Sequence, residues 1–155
     1  KGLTLEAGGQ VLQIAYVLEG LPPGEPVHFG VEFNFAGLPA GCADRYFHDA
    51  YRNQLGQLDS RLDLKNVDVL GLSDEWLGID IALTCHQPMQ VWTFPIETVS
   101  QSEGGFELVH QSVVVHPHWL IKAGSNGRWV ANMTLAIDTS MAERRPTVAE
   151  VIATA

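Results

Sequence analysis

The chain has 155 residues, of which 46% are hydrophobic and 17% are charged, a composition that predicts one globular domain able to bury a core without disulfides or metals. Its formal net charge of −9 argues against nucleic acids and membranes as partners, because nucleic acids and anionic lipid surfaces select positive patches. No apolar run reaches the roughly 18 residues expected of a membrane span. Cys42 and Cys85 are interpreted as free thiols in a reducing cytoplasm, since secreted frameworks usually have more cysteines.

Alternating apolar residues predict strands along most of the chain. In VHFGVEFNF, residues 27–35, the apolar side chains share one face and leave His28, Gly30, Glu32 and Asn34 on the other. Further strand-like runs follow, namely LGIDIAL, VWTFPI, LVHQSVVVHPHWLIKAG and RWVANMTLAID. Helical periodicity is scarce, so we predict an antiparallel β-sandwich or barrel over residues 1–140, followed by a tail over 141–155.

Two stretches predict irregular structure. Pro117 interrupts a long β-branched run, which predicts a bulge or a sheet edge at that point. The stretch DAYRNQLGQLDSRLDL mixes Gly56 with scattered polar residues, and we expect a long, partly ordered excursion there rather than a helix.

The polar face of the first alternating strand is one candidate site. Glu32 and Asn34 are two residues apart and therefore project side by side. A carboxylate accepts hydrogen bonds, an amide donates and accepts, and a sugar hydroxyl needs both partners. The plain alternative is a solvated sheet face, which antiparallel sheets commonly have.

The tryptophans are a second candidate, since an indole can stack on the apolar face of a pyranose ring. Core packing is the alternative for each of them. Trp92 shares its alternation with Phe94 and Ile96, which favours the core. Trp119 follows the Pro117 irregularity, and we expect it to be the exposed one.

The remaining candidates are histidines and a hairpin. His110, His116 and His118 have the same parity, but strand spacing alone does not supply the converging ligands of a metal site, so we predict no metal and no cofactor. Gly104 and Gly105 predict a turn between two strands, which would bring Glu97 and Gln111 near one another. Residue chemistry thus predicts a sugar-facing groove of Glu32, Asn34, Glu97, Gln111 and Trp119.

Several motifs together resemble a known family. EWLGIDIAL, followed by VWTFPIETVSQSEGGFELVHQS, and the earlier GVEFNF, DRY and SRLDL are similar to the C-terminal domain of family 57 glycoside hydrolases of the α-amylase and 4-α-glucanotransferase type. The similarity spans about residues 2–137. It implies a β-sandwich like the galactose mutarotase-like supersandwich, attached to a catalytic (β/α)₇ barrel that holds the catalytic carboxylates.

The resemblance implies a non-catalytic module that packs on the barrel of its parent enzyme and binds α-glucan or maltooligosaccharide. No catalytic role transfers to any residue of this chain. Two alternatives remain open: a mutarotase-like sugar epimerase with a histidine acid and a glutamate base, and a purely structural assembly module.

Overall fold

Ten antiparallel strands and one short helix form the part of the chain that the computed structural model describes, residues 1–102 and 104–144. Every pairing between these strands is antiparallel, which confirms the predicted all-β class. In chain order the elements are β1 Gly2–Leu5, β2 Val11–Leu18, β3 Pro26–Gly30, β4 Phe33–Ala36, β5 Arg45–His48, β6 Gln54–Gln57, β7 Leu62–Asp74, β8 Ile79–Ser102, β9 Gly105–Lys122, β10 Trp129–Asp138 and α1 Ser140–Glu143.

The long strands β7 and β8 each belong to two groups of strands. Residues 80–85 of β8 pair with β10, β10 pairs with β2, and β2 pairs with β1. The second half of β7 pairs with β8 and, on its other side, with β5, which in turn pairs with β6. We call this group sheet I. Residues 90–102 of β8 pair with β9, which carries β3 and β4 on its other side. We call this group, with the first half of β7, sheet II.

Apolar side chains from both sheets form a single core. Leu72, Leu83 and Met133 come from sheet I, whereas Val91 and Val115 come from sheet II, and all five are almost fully buried. The two sheets therefore pack face to face in a sandwich-like arrangement, in which burial of apolar surface provides most of the stabilisation. The narrower prediction of a galactose mutarotase-like supersandwich stays a prediction.

The corner between the sheets is built into β7. Its register with β8 shifts between Leu64 and Val67 and again between Val67 and Val69. Within the first of these shifts Asn66 has a φ of 54°, a left-handed conformation that asparagine tolerates better than β-branched residues. Bulges bend a strand and increase its twist, so the β7–β8 hairpin turns from one sheet into the other here.

Pro117 lies in a central strand, and the expected bulge or edge at this position is wrong. β9 runs continuously through Pro117, between β8 and the β3–β4 pair. The interruption is in the partner instead, because β3 ends at Gly30 and β4 begins at Phe33. The Val31 N–H donates to the Pro117 carbonyl at 2.9 Å, so this side of the Pro117 backbone faces the gap between the two short strands. The N–H that proline lacks is therefore not needed for pairing at this point.

The second irregular region is also ordered. The expected excursion over residues 49–64 contains β6, which pairs with β5, and the start of β7. β10 ends at Asp138 and α1 ends at Glu143, while residues 145–155 lie outside the described ones. The predicted boundary between a domain over 1–140 and a tail over 141–155 therefore stays a prediction. Among the described residues, no helix has the length and apolar character needed to cross a membrane.

Candidate functional site

The outer face of sheet II, which points away from the core, carries a cluster of aromatic and imidazole rings. β9 contributes His116 and His118, β8 contributes Trp92, and β3 contributes His28. Trp92 pairs with His116 across β8 and β9, and Gly30 pairs with His118 across β3 and β9. Alternation along three neighbouring strands thus brings these rings together, and we call His28, Trp92, His116 and His118 the histidine–tryptophan face.

Trp92 is fixed on this face by its neighbours. Its ring centroid lies 3.9 Å from that of His118, with the planes 36° apart, and 5.7 Å from that of His116, with the planes 22° apart. Its Nε1 donates to Oδ1 of Asp63 at 3.1 Å. The residue nevertheless remains 37% exposed. Trp92 is therefore an anchored aromatic side chain that packs against His118, His116 and His28 and remains partly open to solvent.

His118 lies beneath this surface and is only 3% exposed. Its Nδ1 is 2.9 Å from Nε2 of His28, whereas its own buried Nε2 has no hydrogen-bond partner among the residues that the structure describes. Burial, together with the neighbouring His28 and His116, lowers the pKa of His118 below its usual value. The fold therefore favours the uncharged imidazole, and one of the two ring nitrogens carries the proton of the His28–His118 hydrogen bond.

Polar side chains border the Trp92 ring on the β7 side. Asp63 accepts a hydrogen bond from Nζ of Lys65 at 2.7 Å, and Lys65 also donates to Oε1 of Gln90 at 3.0 Å. The hydrogen bond from Lys65 holds the pKa of the Asp63 carboxyl below its usual value, and the indole of Trp92 acts in the same direction. The border thus offers an ionised acceptor and a cation to a ligand on Trp92.

Glu32 and Asn34 border the same face on the β4 side. The Asn34 amide donates to Oε1 of Glu32 at 2.7 Å, and both residues are exposed. Asn34 pairs with Val114, which pairs on its other side with Phe94. The Asn34 position is therefore about 7 Å along the strands and two strands, or about 10 Å, across the sheet from Trp92. The structure brings the predicted carboxylate and amide together, on the face of the sheet that carries Trp92 and opposite to that of Trp119.

Trp119 is buried, and the expectation that it is exposed is wrong. It is only 7% exposed, stacks on Phe29 with centroids 6.2 Å apart, and lies 5.4 Å from the ring of Trp129. Its Nε1 donates to the Pro88 carbonyl at 3.2 Å. Because β9 continues regularly through Pro117, alternation places Trp119 on the core face, opposite to His118.

Glu97 and Gln111 lie farther out along the β8–β9 hairpin that the glycines predicted. Glu97 pairs with His110, and the register shifts between Ile96 and Glu97, so Gln111 is the extra residue on β9. Oε2 of Glu97 is 3.7 Å from Nη2 of Arg61, whereas the Gln111 amide donates to Oγ1 of Thr98 at 3.1 Å. Glu97 is five residues beyond Trp92, about 16 Å along the strand, so the structure does not gather the whole predicted groove.

His116 and His118 lie on the same face of the sheet, as their parity in the sequence indicated, and their ring centroids are 6.1 Å apart. His110 instead has its Nε2 3.1 Å from the Leu38 carbonyl. Within residues 1–102 and 104–144, no group of three or more His, Cys, Asp or Glu side chains is arranged to hold a metal ion.

A second polar cluster lies on the outer face of sheet I. Oδ2 of Asp80 accepts from the Ser73 hydroxyl at 2.5 Å and from Nη1 of Arg52 at 2.6 Å, and Nε2 of His48 lies 3.3 Å away. Nδ1 of His48 is 2.8 Å from the Asp49 carbonyl. The serine hydroxyl is bonded to the carboxylate rather than to the imidazole, so this arrangement does not activate a nucleophile. Its contacts hold the loop after β5 against the sheet.

The groove predicted from the sequence contains none of the four members of the histidine–tryptophan face, since His116 and His118 were considered only as metal ligands and Trp92 and His28 were not selected. His28 has the same parity as Glu32 and Asn34 in residues 27–35, so the sequence could have placed it on the same face as these two residues. The alternation of Trp92 with Phe94 and Ile96 favoured the core, and this interpretation is wrong, because the opposite parity, which contains Val91 and Thr93, is the buried one.

The fold and this face define an all-β, sandwich-like domain with an aromatic and polar sheet surface. The sequence profile described as "Alpha-amylase/4-alpha-glucanotransferase, C-terminal" matches residues 1–133. The chain belongs to this family of C-terminal domains. A comparison with curated protein sequences gives no significant match.

Two solved structures match this chain. The 4-alpha-glucanotransferase from Thermococcus litoralis is 19% identical, with a TM-score of 0.51 over 83% of this chain and 16% of that chain. The Slr1438 protein from Synechocystis sp. PCC 6803 is 15% identical, with a TM-score of 0.47 over 88% of this chain and 53% of that chain. The present chain thus spans only part of the length of either protein, and the likeness to the glucanotransferase, at this identity, shows the fold alone.

Proposed function

We propose that this chain is the non-catalytic C-terminal domain of an α-glucan-acting enzyme of the α-amylase or 4-α-glucanotransferase type, in glycoside hydrolase family 57. In this proposal it packs on the catalytic barrel of its parent and binds α-glucan or maltooligosaccharide weakly. Its family membership supports the first part. The two free cysteines, Cys42 and Cys85, agree with a cytoplasmic location.

The observation that carries the glucan-binding part is Trp92, anchored by His118 and Asp63 yet 37% exposed. An indole face suits the apolar C–H face of a pyranose, and Glu32 and Asn34, on the same face of the sheet, offer an acceptor and a donor to hydroxyls of a neighbouring unit of the same oligosaccharide. Each hydroxyl contact contributes only about 0.5–1.5 kcal/mol net, so we expect a dissociation constant on the order of millimolar. Trp119 has no part in this surface because it is buried, and roles for Glu97 and Gln111 in binding stay predictions.

The test is an NMR titration of the chain with maltohexaose. We expect shifts of the Trp92 indole N–H and the Asn34 side-chain amide, and about tenfold weaker binding by Trp92→Ala, since loss of one stacking contact is worth about 1.4 kcal/mol. Trp76→Ala is the matched control, because Trp76 is 64% exposed but packs on Arg45 at a distance of 5.8 Å, in another part of the molecule. Equal titration curves for the wild type and Trp92→Ala would contradict the proposed surface.

The same sample distinguishes the enzyme alternative. If the chain accelerates the interconversion of α- and β-glucose, and His116→Ala removes that activity, the mutarotase-like epimerase replaces the present proposal. Absence of both binding and interconversion leaves a purely structural module as the function of the domain.

A further inference from the structure

The ends of β8 and β9 form a two-stranded arm that extends beyond the rest of sheet II. The pairing of β4 with β9 ends at Ser112, and the pairing of β7 with β8 ends at Thr93. Beyond these points, residues 97–102 of β8 pair with residues 105–110 of β9. We call this segment the arm. An isolated two-stranded ribbon is at best marginally stable in water, so a third layer is expected to support it.

One face of the arm is apolar and exposed. Val99 pairs with Leu108 and Gln101 pairs with Phe106, so the side chains of these pairs share a face. Phe106 is 78% exposed, Val99 is 67% exposed and Leu108 is 65% exposed. Large side chains exposed in a contiguous group, on strands with open edges, commonly mark an interaction surface.

This apolar face is continuous with the core. Side chains alternate along β8, so Val99 lies on the same side of the strand as Val91 and Thr93, which are buried under sheet I. The core-facing surface of sheet II therefore extends along the arm, where no described strand of sheet I pairs with it or continues over it.

We propose that the apolar face of the arm is the surface through which this domain packs on the remainder of its parent polypeptide. The inference rests on the proposed function, in which the domain is one part of a larger enzyme. In the similar glucanotransferase the matched region is only 16% of the chain, so most of that polypeptide lies outside it. Covalent attachment makes such a neighbour available at a high effective concentration.

The charge of the arm favours this occupant over a second copy of the chain. The sequence from Glu97 to Gln111 contains acidic residues but no lysine or arginine, and the whole chain has a net charge of −9. Two copies packed through their arms would bring like charges together. The expected partner surface is apolar at its centre, opposite Phe106 and Leu108, and has lysine or arginine at its border.

Hydrogen exchange tests the proposal on both the 155-residue chain and the full parent polypeptide. We expect amides of residues 97–110 to exchange about tenfold or more slowly in the parent than in the isolated chain. The double variant Phe106→Thr/Leu108→Thr, which removes the large apolar side chains but places a strand-favouring residue at both positions, should restore fast exchange in the parent. Val109→Thr is the matched control, because Val109 pairs with Thr98 on the opposite face of the arm and should leave the protection unchanged.

Two outcomes would overturn the inference. One is equal exchange of the arm in the two proteins. The other is slow exchange in the isolated chain at high protein concentration, together with a dimer in sedimentation that the double variant does not form. That result would assign the surface to a second copy of the chain. Neither readout involves Trp92, so failed glucan binding with a protected arm contradicts only the binding part of the proposed function.

Discussion

Trp92 and Trp119 lie on opposite faces of sheet II, and their environments differ accordingly. Trp92 packs on His118 at the outer surface, whereas Trp119 stacks on Phe29 inside the core. The same residue type therefore has two roles on neighbouring strands, one at the candidate ligand surface and one in packing.

Because of these different environments, replacing Trp119 by alanine should destabilise the protein more than replacing Trp92. Trp119→Ala should lower the free energy of unfolding by about 3–5 kcal/mol, because it leaves a cavity in a closely packed core. Trp92→Ala should cost less than about 2 kcal/mol, because much of the ring is already in contact with water. Denaturant unfolding of both variants measures the difference, and losses of equal size would show that Trp92 is a packing residue.

His118 predicts a loss of stability in acid. Its pKa in the folded protein is depressed below the usual 6.5, first by burial and then by His28 and His116. The unfolded chain therefore binds a proton at a higher pH than the folded protein does. The contribution of His118 to stability is fully present above about pH 6.5 and is lost as the pH falls from there through the folded pKa.

The groups that face His118 are His28 on β3, His116 on β9, Trp92 and Gln90 on β8, and Asp63 and Lys65 on β7. Urea midpoints measured between pH 7.5 and pH 5 should fall less steeply in His118→Gln than in the wild type. Parallel slopes for the two proteins would show that other groups control the acid response.

Gly71 should not tolerate a side chain, for reasons of space. A Cβ at this position would overlap the buried imidazole of His48, which Asp80 and Arg52 hold in place. Gly71→Ala should lower the free energy of unfolding by about 1–3 kcal/mol through overpacking. Gly2→Ala in the same sheet is the control, because its Cβ would meet only Ala15 at an ordinary 3.9 Å. Equal thermal midpoints for the two variants would contradict this reasoning.

The two thiols should differ in reactivity. Burial raises the pKa of the Cys85 thiol, which lowers its thiolate fraction and also restricts access of reagents. Cys42 is half-buried, in the segment before β5. A thiol-specific reagent at pH 8 should modify Cys42 in the native protein and Cys85 only after denaturation. Equal rates in the Cys42→Ser and Cys85→Ser variants would show that the core near Cys85 opens readily.

The sequence by itself determined the class of fold and several buried faces. In residues 27–35 one parity is wholly apolar and the other is polar, so only one face can be buried, and Phe29, Val31, Phe33 and Phe35 do pack against the core. The same single-parity signal assigned Ile81 and Leu83 to the interior. The motifs that resemble the α-amylase and 4-α-glucanotransferase C-terminal domain also indicated the family that the profile match shows.

Only the tertiary structure decided which tryptophan is exposed. Around Trp92 both parities are suited to burial, since Val91 and Pro95 alternate with Trp92, Phe94 and Ile96. Such a strand has no preferred face of its own, and its pairing with β7 and β9 places Val91 inside. The sequence also did not decide which face Trp119 is on, because Pro117 could mark either an edge or a central strand. A proline is compatible with a central strand when the neighbouring strand is interrupted opposite it, and here the gap between β3 and β4 is that interruption. Register is a property of paired strands, and the residues that fix it are distant in sequence.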